Sequence, residues 1–236
     1  MREPIVFLPG LLCDARLYGP LIADLSRDHA VMTAPLTQGE RIEEMASMLL
    51  DLLPKRFALV GWELGGMVAL ELIRRAPDRV ARLALVSTTP LADTPQQAAE
   101  RDPLIIRARA GKFGEVVSEE RKVSALAAGP YRSEIVALMQ DMAQGLGEDC
   151  YVRQARAMQR RRDQQTTLRK IAVPCLVLCG EEDPVTPVKR HSFMAEMIPG
   201  ADLQVVEQAG QIPMLEQPET VAELLRGWLA QPLMLR

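Results

Sequence analysis

The chain has few of the residues that build metal centres and disulfide frameworks. Its 236 residues include four cysteines and two histidines, and the cysteines form no C-x-x-C motif. Metal sites of the zinc or iron–sulfur type need clusters of these side chains. We therefore expect neither a metal nor another cofactor, and we expect the thiols to be buried and reduced, as is usual in the cytoplasm.

An excess of one charge sign and long apolar runs are also missing. The formal net charge is −3, which gives no reason to expect nucleic acid or an acidic membrane as a partner. No apolar stretch approaches the ~20 residues that span a bilayer, and Pro9-Gly10 interrupts the first apolar run, which argues against a signal peptide. We expect a cytoplasmic protein whose partner is a small molecule, and the composition favours no particular oligomeric state.

Short apolar runs recur along the chain, and helical patterns lie between several of them. The runs show little alternation of polar and apolar residues, which is typical of parallel strands buried on both faces. The pattern predicts an α/β fold with a doubly wound, mostly parallel sheet of about six strands and right-handed crossovers. The predicted strands are residues 5–8, 30–33, 57–60, 83–87, 175–179 and 203–206.

Two helical stripes accompany these strands. Met45, Met48, Leu49 and Leu52 fall on one helical face, and so do Val221, Leu224, Leu225 and Trp228 near the C-terminus. Apolar residues at this spacing predict helices that pack one face on the core.

The segment 91–168 breaks the alternation of strands and helices. It has no convincing strand, and residues 135–146 carry an apolar stripe at helical spacing. We predict a helical lid at 91–168, inserted between the two parts of a core formed by residues 1–90 and 169–236. The arginine run at 160–162 is interpreted as a solvated face of this lid, with a site for a substrate carboxylate as the alternative.

A buried strand enters a helix through a Gly-x-Glu-x-Gly-Gly turn at residues 61–66. In so tight a turn the central residue takes a strained backbone conformation, and the residues two before and two after it must be small. Glu63 is the central residue, and an ordinary strand-to-helix turn with a surface glutamate is the alternative. Its side chain is expected to project at the carboxyl edge of the sheet, over the amino end of the helix, where negative charge is favoured.

This turn and several other motifs, in the right order, resemble the α/β-hydrolase superfamily. The likeness covers essentially the whole chain and is strongest to short bacterial ester and lactone hydrolases. The other motifs are LPGLLCD at residues 8–14, RAPDRV at 75–80, GEEDPVTP at 180–187 and LEQP at 215–218. The resemblance implies an α/β-hydrolase core at 1–90 and 169–236 beneath the helical lid.

The resemblance also implies where catalytic residues should lie, and two of those positions hold unusual side chains. The family usually has serine, and sometimes aspartate or cysteine, at the centre of the turn, where this chain has Glu63. Its histidine after the last strand corresponds to Gln211, with a loop amide that has no role as the alternative. The family's acid is retained as Asp183, with a turn or helix-capping aspartate as the alternative.

The same resemblance assigns an oxyanion hole and a pocket. The backbone amides of Leu11 and Leu64 should form the oxyanion hole. Leu12 and Trp62 are candidate pocket residues, with core packing as the alternative for each.

These substitutions predict little or no serine-esterase activity. Glu63 has no hydroxyl, and Gln211 has no titratable nitrogen to shuttle a proton. Neither His29 nor His191 is positioned to replace the missing histidine.

Three interpretations stay open. The chain is a hydrolase scaffold without triad chemistry, whether inactivated, repurposed or engineered; or it is an eliminase, isomerase or lyase that uses Glu63 as a general base; or Glu63 is a covalent nucleophile on alkyl substrates. Burial should raise the pKa of Glu63, while the helix end and nearby amides oppose that shift.

Overall fold

A parallel sheet of six strands forms the centre of the computed structural model, which describes residues 3–233. The strand order is β2-β1-β3-β4-β5-β6, and every neighbouring pair is parallel. The predicted doubly wound α/β sheet is therefore confirmed. The strands are β1 (Ile5–Leu8), β2 (Val31–Thr33), β3 (Phe57–Trp62), β4 (Val80–Val86), β5 (Cys175–Gly180) and β6 (Asp202–Val206).

Burial of the strands explains why their sequences lack alternation. Every residue of β1, β3, β4 and β5 is buried, whereas the edge strands β2 and β6 are only partly buried. Side chains alternate between the two faces of a strand, and successive residues of β1 accordingly belong to two different apolar clusters, one on each face. Both faces of the central strands thus need apolar residues at every position.

Among residues 3–233, six α-helices lie outside segment 91–168. They are α1 (Gly19–Leu25), α2 (Ile42–Leu52), α3 (Leu64–Arg75), α9 (Val188–Met197), α10 (Pro213–Glu216) and α11 (Pro218–Ala230). The stripe predicted on α11 is confirmed, with three of its four residues buried. No helix within residues 3–233 is both long enough and apolar enough to cross a bilayer.

The apolar stripe predicted on α2 is partly wrong. Met45 and Leu49 are buried, but Met48 is 40% exposed and Leu52 is 66% exposed. The helix instead buries the face that includes Ile42 and Ala46. Met48 and Leu52 lie on the flank of this face, which the core does not cover.

Between β4 and β5, residues 91–168 contain helices and no strand. The helices are α4 (Pro95–Arg107), α5 (Phe113–Glu120), α6 (Arg132–Leu146), α7 (Glu148–Gln159) and α8 (Gln165–Leu168). The predicted stripe on α6 is buried at Ile135, Met139 and Met142. That this helical segment acts as a lid over a separate core stays a prediction, and residues 1–2 and 234–236 of the predicted core lie outside the described residues.

The four cysteines are all buried and free. Burial raises the pKa of Cys175 and of Cys179 to about 12, so both stay protonated and unreactive at neutral pH. The expectation of buried, unbridged thiols is confirmed.

Candidate functional site

A single residue, Glu63, connects β3 to α3 at the carboxyl edge of the sheet. Its backbone angles are φ 50° and ψ −113°, a strained conformation for a residue with a side chain. Its N–H donates to Val86 O at 3.1 Å, and its carbonyl accepts from Gly66 N at 3.1 Å and from Thr88 Oγ1 at 2.6 Å. These bonds to β4, α3 and the loop after β4 hold the turn in its strained form.

Close contacts at the turn require glycine on both sides of Glu63. A Cβ on Gly65 would lie 2.0 Å from the carbonyl oxygen of Leu8, and one on Gly61 would lie 2.4 Å from the carbonyl oxygen of Gly65. Real side chains do not approach backbone oxygens so closely. The glycines therefore let the first turn of α3 pack directly on β1 and β3.

The Glu63 carboxylate points at the loop after β1. Its Oε2 accepts the N–H of Leu11 at 2.8 Å and lies 3.5 Å from Nη2 of Arg121. The side chain is 12% exposed, and a Cβ on Gly10 would lie 2.4 Å from the same Oε2. The amide predicted to bind an oxyanion thus binds the protein's own carboxylate.

Arg121, which follows the last turn of α5, is a site residue that the sequence did not suggest. Its side chain is 5% exposed, and the guanidinium donates to Leu11 O and lies 5.6 Å over the Trp62 ring. A cation over an indole face is attracted by the ring quadrupole. In sequence, Arg121 belongs to a charged run at 119–122, which looks like a solvated helix end.

Two opposing effects set the pKa of Glu63. Burial raises this pKa, while the Arg121 charge and the Leu11 N–H lower it, and the net direction is upward. Desolvation penalises the charged carboxylate more than the two partners stabilise it. The raising effect of burial and the opposing effect of a backbone amide were both expected from the sequence.

Two hydrogen bonds hold the backbone of Gln211 in place. Its N–H donates to Ala125 O at 2.9 Å, and its carbonyl accepts from Trp62 Nε1 at 2.8 Å. The residue is 4% exposed, and its side-chain amide has no hydrogen-bond partner among residues 3–233. Trp62 is fully buried, so it packs in the core and joins the Glu63 turn to the Gln211 loop.

The Asp183 carboxylate is engaged in its own loop. Oδ1 accepts from Val185 N at 2.8 Å and Thr186 N at 2.9 Å, and Oδ2 accepts from Thr186 Oγ1 at 2.7 Å. Burial raises the pKa of the Asp183 carboxyl, whereas these hydrogen bonds lower it, and the net direction is upward. A backbone bond from Glu182 N to Ala209 O at 2.9 Å ties this loop to that of Gln211, yet within residues 3–233 no hydrogen bond joins Asp183 to Gln211 or to Glu63.

Leu11, Leu12 and Leu64 all have buried side chains in the larger apolar cluster, so they pack in the core. Leu12 has a positive φ of 54°, and its N–H donates at 2.8 Å to the buried side chain of Gln154 in α7. The Leu64 amide is the first of α3 and so has no intrahelical acceptor. An oxyanion hole at Leu11 and Leu64 stays a prediction.

His191 is a buried residue of α9 that supports the turn indirectly. Its Nε2 accepts the N–H of Thr88 at 3.2 Å, and its Nδ1 lies 3.4 Å from Pro187 O. Thr88 in turn bonds the carbonyl of Glu63. Burial lowers the pKa of His191 to about 4, so the ring stays neutral near pH 7 and can accept the Thr88 N–H.

We expect His191 to make the protein less stable as the pH falls. Because the folded-state pKa of about 4 lies below the ordinary value near 6.5, the unfolded chain takes up the proton first. The contribution is complete above pH ~6.5 and lost as the pH falls towards ~4, about 3 kcal/mol in all. Urea unfolding at several pH values should show a shallower dependence in His191→Gln, which keeps a donor and an acceptor; parallel curves would contradict this assignment.

Comparisons with known proteins agree with this architecture. Residues 5–224 match the Alpha/beta hydrolase family. A pimeloyl-[acyl-carrier protein] methyl ester esterase of Aromatoleum aromaticum is 30% identical over 95% of this chain and 97% of its own length. A protein of the same name from Neisseria meningitidis is 28% identical over 83% of this chain and 78% of its own.

Solved structures of other proteins share this fold. An esterase from Thermogutta terrifontis superposes with a TM-score of 0.88 at 25% identity, over 96% of this chain and 89% of that chain. The enol-lactonase from Burkholderia xenovorans superposes with a TM-score of 0.84 at 21% identity, over 98% of this chain and 93% of that chain.

Residues 3–233 contain no cluster of His, Cys, Asp or Glu side chains that could hold a metal ion. The family match spans the sheet, the turn at Glu63 and the loops of Asp183 and Gln211, and the chain belongs to the α/β-hydrolase family.

Proposed function

We propose that this chain is an α/β-hydrolase of ester-hydrolase ancestry that no longer hydrolyses esters through an acyl-enzyme. In this proposal Glu63 and Gln211 occupy the positions of the family's nucleophile and general base. The supporting observation is the Glu63 carboxylate, whose Oε2 takes the Leu11 N–H at 2.8 Å beside Arg121. In this proposal the Glu63 carboxylate occupies the place where a hydrolase would stabilise its reaction intermediate.

The chemistry of the two side chains supports the same conclusion. Acyl-enzyme hydrolysis needs a hydroxyl or thiol nucleophile, a base that takes and returns its proton, and free oxyanion donors. Glu63 supplies a carboxylate, and the amide of Gln211 cannot titrate. The carboxylate of Asp183 is occupied by Val185 and Thr186, so it does not compensate for either change.

A small molecule is the proposed partner. The relatives are named for a methyl ester and an enol-lactone, and we propose that a ligand of this carbonyl-containing class binds at the same edge of the sheet. The chain would then bind the ligand without the acyl transfer of its relatives.

General-base catalysis is the second candidate, and the pKa of Glu63 favours it. Burial raises that pKa above its ordinary value, and a carboxylate with a raised pKa is a stronger base. Proton abstraction from carbon by Glu63 would make the chain an eliminase, isomerase or lyase. A covalent role for Glu63 has less support, because Gln211 activates water poorly and an alkyl-enzyme ester would accumulate.

One panel of variants tests these candidates. The parent, Glu63→Gln and Glu63→Ala are assayed with p-nitrophenyl butyrate and with an activated C–H acid such as a nitrobenzisoxazole, after circular dichroism shows that each is folded. We expect the parent to hydrolyse the ester no faster than Glu63→Ala, because neither has a nucleophile that can form and release an acyl-enzyme.

The outcomes separate the candidates. Ester hydrolysis that Glu63→Ala abolishes contradicts the proposal. Turnover of the C–H acid that Glu63→Gln abolishes establishes the general base instead, because the amide keeps the shape of the side chain and removes its basicity. Turnover that survives in Glu63→Gln eliminates the general-base candidate.

A further inference from the structure

We propose that Arg121 and the Leu11 amide form a binding site for a small organic carboxylate, in which the Glu63 side chain is the resident occupant. A ligand carboxylate enters by displacing that side chain. This inference goes beyond the loss of ester hydrolysis, since it concerns binding alone and holds whether or not Glu63 acts as a base.

The site is built from buried groups that already bind a carboxylate. The Leu11 N–H and the Arg121 guanidinium both face Oε2 of Glu63, at 2.8 and 3.5 Å. Arg121 is 5% exposed, and its contacts with Leu11 O and the Trp62 ring fix the plane of the guanidinium. A preorganised donor pair of this kind loses little entropy when a ligand replaces Glu63.

Arg121 also has an unused donor. Its Nε is buried and has no hydrogen-bond partner among residues 3–233. A buried donor without a partner is unfavourable, and a guanidinium binds a carboxylate best through two parallel N–H bonds. The Glu63 carboxylate is tethered to its own backbone, and its Oε2 lies 3.5 Å from Nη2 of Arg121. It leaves Nε without a partner. A free carboxylate has no such tether and is able to reach Nε and Nη2 together.

Exchange of one carboxylate for another conserves charge at the site. A buried guanidinium without a counter-anion is strongly disfavoured, so the ligand must bring a negative charge when Glu63 leaves. A neutral ligand would leave the Arg121 guanidinium without a counter-anion, which selects for carboxylates.

Acetate tests this proposal because it is the fragment that Glu63→Ala removes. The variant keeps Cβ, so the lost atoms are one methylene and the carboxylate. Acetate is titrated into the parent, Glu63→Ala and Glu63→Ala/Arg121→Met, and two-dimensional NMR follows the Leu11 amide and the Trp62 indole N–H. Trp228 is the other tryptophan, and a Trp228→Phe sample assigns the two indole signals.

We expect acetate to bind Glu63→Ala saturably, with a Kd in the millimolar range because the ligand is so small. This Kd should be at least about tenfold lower than that of the parent, in which acetate must displace Glu63. Arg121→Met should abolish that binding. Glu63→Ser is measured in parallel and opens the same space if the alanine variant does not fold. Absence of saturation in both variants overturns the proposal, and so does binding of equal strength when Arg121 is replaced.

Discussion

The Glu63→Ser/Gln211→His double variant is expected to hydrolyse p-nitrophenyl butyrate about 10³-fold faster than the parent, since loss of triad members costs roughly 10⁴–10⁶ in kcat. Serine supplies a hydroxyl on the strained turn, and histidine supplies a nitrogen that carries its proton. The shorter serine side chain also leaves the Leu11 N–H, now bound to Glu63 Oε2, available to an oxyanion. Initial rates measured at pH 8 provide the comparison.

The single variants serve as controls for this gain. Glu63→Ser lacks the base and Gln211→His lacks the nucleophile, so each should remain near the parent rate. A fluorophosphonate should add its mass to the double variant alone, because only that protein has an activated serine. Rates equal to those of the parent, in a double variant that is folded, would show that the site has lost more than two side chains.

Gly65→Ala is expected to destabilise the protein by about 3 kcal/mol or more, the upper range for overpacking by one methyl group. The added Cβ would lie 2.0 Å from the Leu8 carbonyl oxygen and 2.7 Å from that of Pro9. Both are backbone atoms, so no rotamer change relieves the contact, and α3 must move away from β1. The urea concentration at half-unfolding measures the effect.

Gly227→Ala is the matched control, because it makes the same change within α11. A Cβ there meets nothing within 4 Å, and alanine favours the helix by up to about 1 kcal/mol over glycine. The control should therefore unfold at a slightly higher urea concentration than the parent. Similar midpoints for the two variants would contradict the steric role of Gly65.

Local physical chemistry was enough to predict the sheet and the turn. Strands buried on both faces leave apolar runs without alternation, and all six predicted segments overlap observed strands. Gly61 and Gly65 marked the turn because a side chain at either position would collide with backbone atoms. The atoms are those of Gly65, four residues along the chain, for Gly61, and those of Leu8 on the neighbouring strand for Gly65. The strained φ of 50° at Glu63 follows from the same short spacing.

The contacts of the site side chains depended on packing between distant segments. Leu11 and Glu63 are 52 residues apart, and Arg121 reaches Leu11 across 110 residues. In sequence, Arg121 has the charge pattern of a solvated helix end, and a turn or helix-capping role for Asp183 was only the alternative to its role as the family's acid. Burial on a helix was equally hard to predict, because Leu52 has the apolar side chain of a core residue but lies where the core ends. Hydrophobicity and glycine spacing specify which elements form, whereas the direction of each polar side chain depends on which elements the completed fold brings beside it.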